Sequence, residues 1–178
     1  MDKSNYTYIM YFLYFVMFFI YIASFFMDVK EFGYTKESAF YTRYMYMFTH
    51  QNILHLIANI YSFHLLYKMV MKLIPEEIFV PLMFISGVLM TYGTEMSKPT
   101  IGLSGIAFLL LGILFAASPK QMYIAVIVTT ILNTVFYYFN TNVNVFIHLS
   151  GFIYGIIIYL IYKLWNKRKN KNKNLSAQ

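Results

Sequence analysis

The sequence predicts an all-α protein, a polytopic membrane bundle of six transmembrane helices. Three observations predict it. Apolar residues make up 60% of the 178-residue chain and charged residues only 12%. A soluble domain of this length has too little interior to hide so much apolar surface. Six hydrophobic segments stand out, at 6–27, 51–73, 78–96, 103–117, 121–139 and 146–165, and most approach the ~20 residues that cross ~30 Å of hydrocarbon. Between them lie short runs of charge, proline, glycine or asparagine that suit connections at a membrane surface.

The elements follow in order. The first segment is too long for a signal-peptide core and lacks a small-x-small cleavage site, so it reads as a retained span. "MDVKEFGYTKESAFYTR", 27–43, carries charges and a glycine and forms a substantial loop. The second span opens with histidines. "IPEE", 74–77, breaks the chain with a proline and paired carboxylates, and "SKPTIG", 97–102, with proline and glycine. The fourth span is short, which suits a helix enclosed by its neighbours. "ASPKQ", 117–121, is a tight turn before the fifth span, whose Thr129, Thr130, Asn133 and Thr134 read as interhelical hydrogen-bonding groups. "NTNVN", 140–144, leads into the sixth span, which runs into "YKLWNKRKNKNKNLSAQ". No internal repeat is visible. The expected organisation is a short cytoplasmic N-terminus at 1–5, a six-helix membrane domain at 6–165 and a basic cytoplasmic tail at 166–178.

Composition removes several functions. The chain has no cysteine, which excludes a disulfide framework, an iron–sulfur site and a thiol nucleophile. The net charge of +7 would suggest nucleic acid in a soluble protein, but no soluble module is present to carry that binding. The basic residues instead crowd the chain end, as at a cytoplasmic membrane surface. With six spans both termini share one side, which then holds Lys3, Lys68, Lys72, Lys120, Lys163, Lys167, Arg168, Lys169, Lys171 and Lys173. The other side holds only Lys30, Lys36, Arg43 and Lys98. This imbalance orients both termini into the cytoplasm.

Polar groups in a bilayer need partners or water, so each is informative. Three clusters matter: "HQNILHLIAN" at 50–59, "GLSG" at 102–105 and "HLSGFIYG" at 148–155. At ~100° per residue His55 and Asn59 share one helical face. His50, read as the start of the same helix, lies ~140° from His55, and His64 lies ~180° away, outside any shared site. His55 and Asn59 can equally be a hydrogen-bonded pair between helices.

Ser104 begins the fourth helix, where free N–H groups and the dipole suit a developing oxyanion. Gly102 permits an unusual turn, and Gly105 lets another helix approach. Taken alone, "GLSG" favours a packing role. His148 falls near the face of Gly151 and Gly155, whose spacing of four supports close helix contact. A serine hydroxyl needs an adjacent base within ~2.6–3.2 Å. None of the seven acids lies mid-helix beside His148, so any serine chemistry would rest on a dyad. Phe108, one turn from Ser104, could orient the imidazole. A transporter would show inverted repeats with broken helices, and none is visible. Zinc on His50, His55 and His148 lacks an H-E-x-x-H motif or a carboxylate base, and His50 and His55 point in different directions.

Together the three clusters resemble the rhomboid intramembrane serine proteases of the minimal six-helix bacterial type. H-x4-H-x3-N, G-x-S-G and H-x2-G-x3-G occur in family order, each at the expected helix, across roughly residues 40–160. The resemblance implies that Ser104 is the nucleophile and His148 the general base. It implies that His55, Asn59 and the Ser104 N–H hold the oxyanion, and that His50 is a structural histidine. Gly102 belongs to the serine motif, and Gly151 and Gly155 match glycines that bring the sixth helix against the fourth. Phe108 stands where a tyrosine usually stacks on the base, without its hydroxyl. Ile147 stands where a small residue is usual, and Arg43 is one position off the usual arginine spacing.

The implied activity is cleavage of peptide bonds in or near transmembrane segments, without cofactor or metal. The implied partners are transmembrane substrates and membrane lipid, with no nucleic acid, and the implied location is the bacterial cytoplasmic membrane. The alternative is a non-catalytic relative that binds transmembrane helices. Such relatives usually lack the serine or the histidine, and both are present here.

Overall fold

The computed structural model describes residues 5–26, 28, 31–93, 99–139 and 144–176, with only the backbone described at 5–7, 132–139 and 173–176. Helix α1 spans Asn5–Ala23. Its buried Met10, Leu13 and Met17 recur at intervals of three and four and so form one inward stripe. Tyr8, Tyr11, Phe12, Phe15 and Phe19 remain exposed, which suits a lipid-facing surface. The first loop then carries the short helix α2, Thr42–Met45, and a 3-10 turn, Tyr46–Phe48.

Helix α3 spans Ile53–Val70. It starts there because Asn52 is an N-cap: its side chain accepts a hydrogen bond from the His55 N–H at 2.8 Å. His50 therefore precedes the helix, and the expectation that the second span begins at His50 is corrected. Helix α4, Glu76–Leu89, continues into a 3-10 turn at Met90–Gly93. Glu76 and Glu77 occupy its first turn, at the positive end of the helix dipole. The buried Glu76 carboxylate accepts a hydrogen bond from the Tyr67 hydroxyl, which closes the turn between α3 and α4.

Helix α5 spans Ser104–Ala117, with Leu109 to Leu114 all buried. A helix apolar on every side has to be enclosed, and α5 contacts α3, α4, α6 and, most extensively, α7. The expected enclosure of the short fourth helix is thus observed. Ser118 breaks the chain before α6, Pro119–Phe139; Pro119 is tolerated at the first helical position, where its missing N–H costs nothing. On α6 the Thr129 hydroxyl donates to the Ala125 carbonyl at 2.7 Å and the Thr130 hydroxyl to the Val126 carbonyl at 2.8 Å. These bonds run back along α6 itself. The side chains of Asn133 and Thr134 lie outside the described residues.

Helix α7 runs unbroken through Val145–Ser176. At 1.5 Å per residue it is about 48 Å long, beyond the ~30 Å hydrocarbon layer. Its basic end therefore continues as helix, with Lys169 over the Trp165 ring at 5.0 Å.

Among the described residues, three helices are long and apolar enough to cross a membrane: Ile53–Val70, Glu76–Gly93 and Val145–Asn172. Tyr8–Ala23 and Ser104–Ala117 are shorter apolar helices. Length and composition thus establish three clear spans where six were expected.

Candidate active site

The site forms where the start of α5 meets the start of α7. Gly102 has φ +108°, a conformation that side-chain-bearing residues rarely adopt. Its N–H donates to the Tyr46 carbonyl at 2.8 Å, and the Tyr46 hydroxyl donates to the Gly87 carbonyl at 2.9 Å. The turn before α5 is thereby fixed to the first loop and to α4. Ser104 follows as the first residue of α5, where backbone N–H groups have no intrahelical acceptor.

Across from it, α7 presents His148. Its Nε2 lies 2.7 Å from the Ser104 hydroxyl, within hydrogen-bond range. The Phe108 ring stacks on the imidazole, with centroids 4.6 Å apart and planes 9° from parallel. The phenyl ring stacks without carrying a hydroxyl. Ser104 and His148 are both half-buried as residues.

Glycines permit this approach. A Cβ on Gly151 would overlap the Gly105 carbonyl oxygen, and one on Gly155 the Leu109 carbonyl oxygen. Gly112 does the same in reverse against the Phe152 carbonyl. The sequence reading missed Gly112, though its position two turns after Gly105 marks the same face. Ile147 turns its Cγ2 to within 2.6 Å of where a Gly105 Cβ would lie. The missing side chain at 105 makes room for the bulk at 147.

On the other side of the serine turn stands α3. The His55 ring fits against Gly102: a Cβ there would lie 2.9 Å from both Cε1 and Nε2. Asn59 Nδ2 donates to the His55 carbonyl at 2.8 Å and would lie 3.7 Å from that same Cβ. A side-chain amide nitrogen carries two hydrogens, so this bond uses only one.

His50 is buried beside them. Its Nδ1 contacts the Phe48 carbonyl oxygen at 3.1 Å, and its ring meets His55 edge-on at 5.2 Å. The expectation that His50 and His55 point apart is corrected; it assumed one continuous helix. Among the described residues no group of three or more His, Cys, Asp or Glu side chains could hold a metal. His64 bonds instead to the Tyr14 hydroxyl at 3.1 Å and joins α3 to α1.

Burial lowers the His50 pKa to about 3, and the neighbouring His55 acts in the same direction. In the unfolded chain the ring titrates near its ordinary value of 6.5. Below that pH the unfolded state binds more protons, so the stability contributed by the neutral ring is present above 6.5 and declines toward 3. Thermal unfolding in detergent should show Tm falling from pH 7 to 4, with a flatter fall in His50→Gln.

Arg43 ties the first loop to the turn after α4. Its guanidinium lies 4.8 Å from the Tyr34 ring centroid and 4.2 Å from that of Tyr92, and Nη1 donates to the Thr91 hydroxyl at 2.5 Å. Such stacking suits the planar guanidinium. Asn144, read only as part of an asparagine-rich connection, caps α7 by accepting from the Ile147 N–H at 3.2 Å.

Comparison with known proteins agrees with this architecture. No curated protein matches the chain in direct comparison. The family model of the Rhomboid domain matches residues 37–165, a stretch that contains His50, His55, Asn59, Gly102, Ser104, Phe108 and His148. With its long apolar helices, this is an integral membrane protein, and the chain belongs to the rhomboid family.

Proposed function

We propose that this protein is an intramembrane serine endopeptidase that cuts peptide bonds in or near the transmembrane segments of membrane proteins. The observation that carries this reading is the 2.7 Å contact between the Ser104 hydroxyl and His148 Nε2. In this reading all six apolar segments span the bilayer, within 6–165. Both termini, including the basic 166–178, face the cytoplasm of a bacterial cell whose inner membrane holds the protein.

A substrate carbonyl reaches Ser104 from an unwound transmembrane segment. As the hydroxyl oxygen attacks, His148 Nε2 takes its proton. The tetrahedral oxyanion is held by the Ser104 N–H, the His55 ring and the spare Asn59 N–H. His148 then protonates the leaving amine, and the C–N bond breaks to leave an acyl-serine. Water attacks that ester while His148 takes its proton and returns one to the serine oxygen. The positive end of α5 favours the negative charge at each attack.

The dyad sits in the first turns of two helices of a membrane protein, which suits a substrate that lies in the membrane. A substrate helix keeps its backbone bonded in lipid, so glycine, proline or polar residues near the cut lower the cost of opening it.

The test is reconstitution in liposomes with a panel of single-span substrates. The expected result is cleavage in or near the span by the wild type and none by Ser104→Ala. Substrates bound but left intact by the wild type would instead favour the non-catalytic, helix-binding reading. His55→Ala and Asn59→Ala should each lower kcat by about 10²–10³-fold, measured on the substrate that the wild type cuts best.

A further inference from the structure

We infer that the buried Thr100–Asn144 pair is a positioning clasp that sets the register of the His148 imidazole against the Ser104 hydroxyl. The inference rests on the Ser–His reading above. Neither residue touches the reacting atoms, so both act through others.

A 2.7 Å bond between side chains on two helices leaves little freedom for one helix to slide along the other. The glycine contacts between α5 and α7 set how closely the helices approach. Close backbone approach brings the helices together, and a directional hydrogen bond beside the Ser–His pair adds an orientation to it.

Asn144 makes contacts suited to it. Its Oδ1 accepts from the Ile147 N–H at 3.2 Å, and its backbone carbonyl accepts from the His148 N–H at 3.4 Å. The first turn of α7, which carries the base, is thus tied to this one residue. Its Nδ2 donates to the Thr100 hydroxyl at 2.8 Å. Thr100 stands four residues before Ser104, in the segment that leads into α5. The amide is planar, so its two bonds fix an orientation as well as a distance.

Thr100 is itself anchored. Its N–H donates to the Tyr34 carbonyl at 2.8 Å, and its carbonyl accepts from the Tyr34 N–H at 2.9 Å. Arg43 stacks on the Tyr34 ring. The first loop, the serine segment and the base helix therefore converge on Thr100. Thr100 and Asn144 are only 6% and 5% exposed, so water cannot easily replace their bond.

The experiment uses the full chain in liposomes with three single variants: Asn144→Ala, Thr100→Val and Thr100→Ser. The two that break the side-chain bond should lower kcat by about 10–10²-fold, the scale of a catalytic group displaced by ~1 Å, with KM within about twofold. The double variant Thr100→Val with Asn144→Ala should lose no more than the worse single, because both remove the same bond. Thr100→Ser keeps the hydroxyl and should stay near wild type. A second readout does not need turnover: the ring 15N NMR signals of His148 should shift in Asn144→Ala and Thr100→Val and return in Thr100→Ser.

Wild-type kcat and unshifted His148 signals in the bond-breaking variants would overturn the clasp. So would a loss that Thr100→Ser fails to restore. If the wild type itself cuts nothing, the protease reading fails, and the NMR shifts still decide the clasp.

Discussion

His148→Ala is expected to lower turnover by about 10⁴–10⁶-fold while the fold persists, with Tm lower by about 4–8 °C. The expected loss is large because a serine hydroxyl hardly ionises unaided, and Nε2 is the ring nitrogen in contact with it. The stability effect is modest because the contacts given up, among them the Ser104 hydrogen bond and the Phe108 stack, are each worth roughly 1 kcal/mol. His148→Gln sharpens the test. Glutamine can still hydrogen-bond to Ser104 but cannot take its proton, so it should be as inactive as alanine. Cleavage kinetics beside a thermal melt of each variant check this, and a glutamine variant with most of the wild-type rate would sink general-base catalysis.

Gly155→Val should damage the fold instead. A Cβ at 155 would overlap the Leu109 carbonyl oxygen and lie 2.9 Å from the Ile113 nitrogen. Both are helix backbone, so no side chain can swing aside. Helix α7 would have to back away from α5, at roughly 3 kcal/mol, the upper end of the usual overpacking range. Because His148 rides on α7 two turns earlier, activity should fall together with Tm. Ile161→Val, on the exposed side of the same helix, removes one methylene from a residue 62% exposed and should change neither. Melting curves in one detergent distinguish the two, and equal Tm values would contradict the account of the α5–α7 contact.

Much of this architecture was legible in the sequence, and particular residues show why. The glycines at 151 and 155 stand four apart, and that spacing alone puts them on one face. Ser104 and His148 belong to compact local motifs, which keep their spelling in the linear chain. The enclosure of α5 follows from its short, wholly apolar run.

Other features depend on contacts that no local pattern encodes. His50 was read into the second helix because the apolar run begins beside it. The Asn52 cap that excludes it was visible as a residue type but competed with that run. Thr100 and Asn144 are ordinary polar residues in two connections 44 positions apart, and only the fold makes them partners. Arg43 stands one position off the usual arginine spacing, and its stacking on Tyr34 and Tyr92 joins segments far apart in the chain. The bulk of Ile147 looked like a misfit until the space left by Gly105 came into view.

The most direct measurement is reaction of the liposome-embedded protein with a fluorophosphonate, followed by peptide mass spectrometry. Attack by an activated serine oxygen on phosphorus expels fluoride and leaves a covalent mark. The account predicts a single adduct on Ser104, formed at least about 10³-fold more slowly in His148→Gln. An unlabelled Ser104, or labelling as fast without the imidazole as with it, would contradict the claim that these two side chains work as a unit.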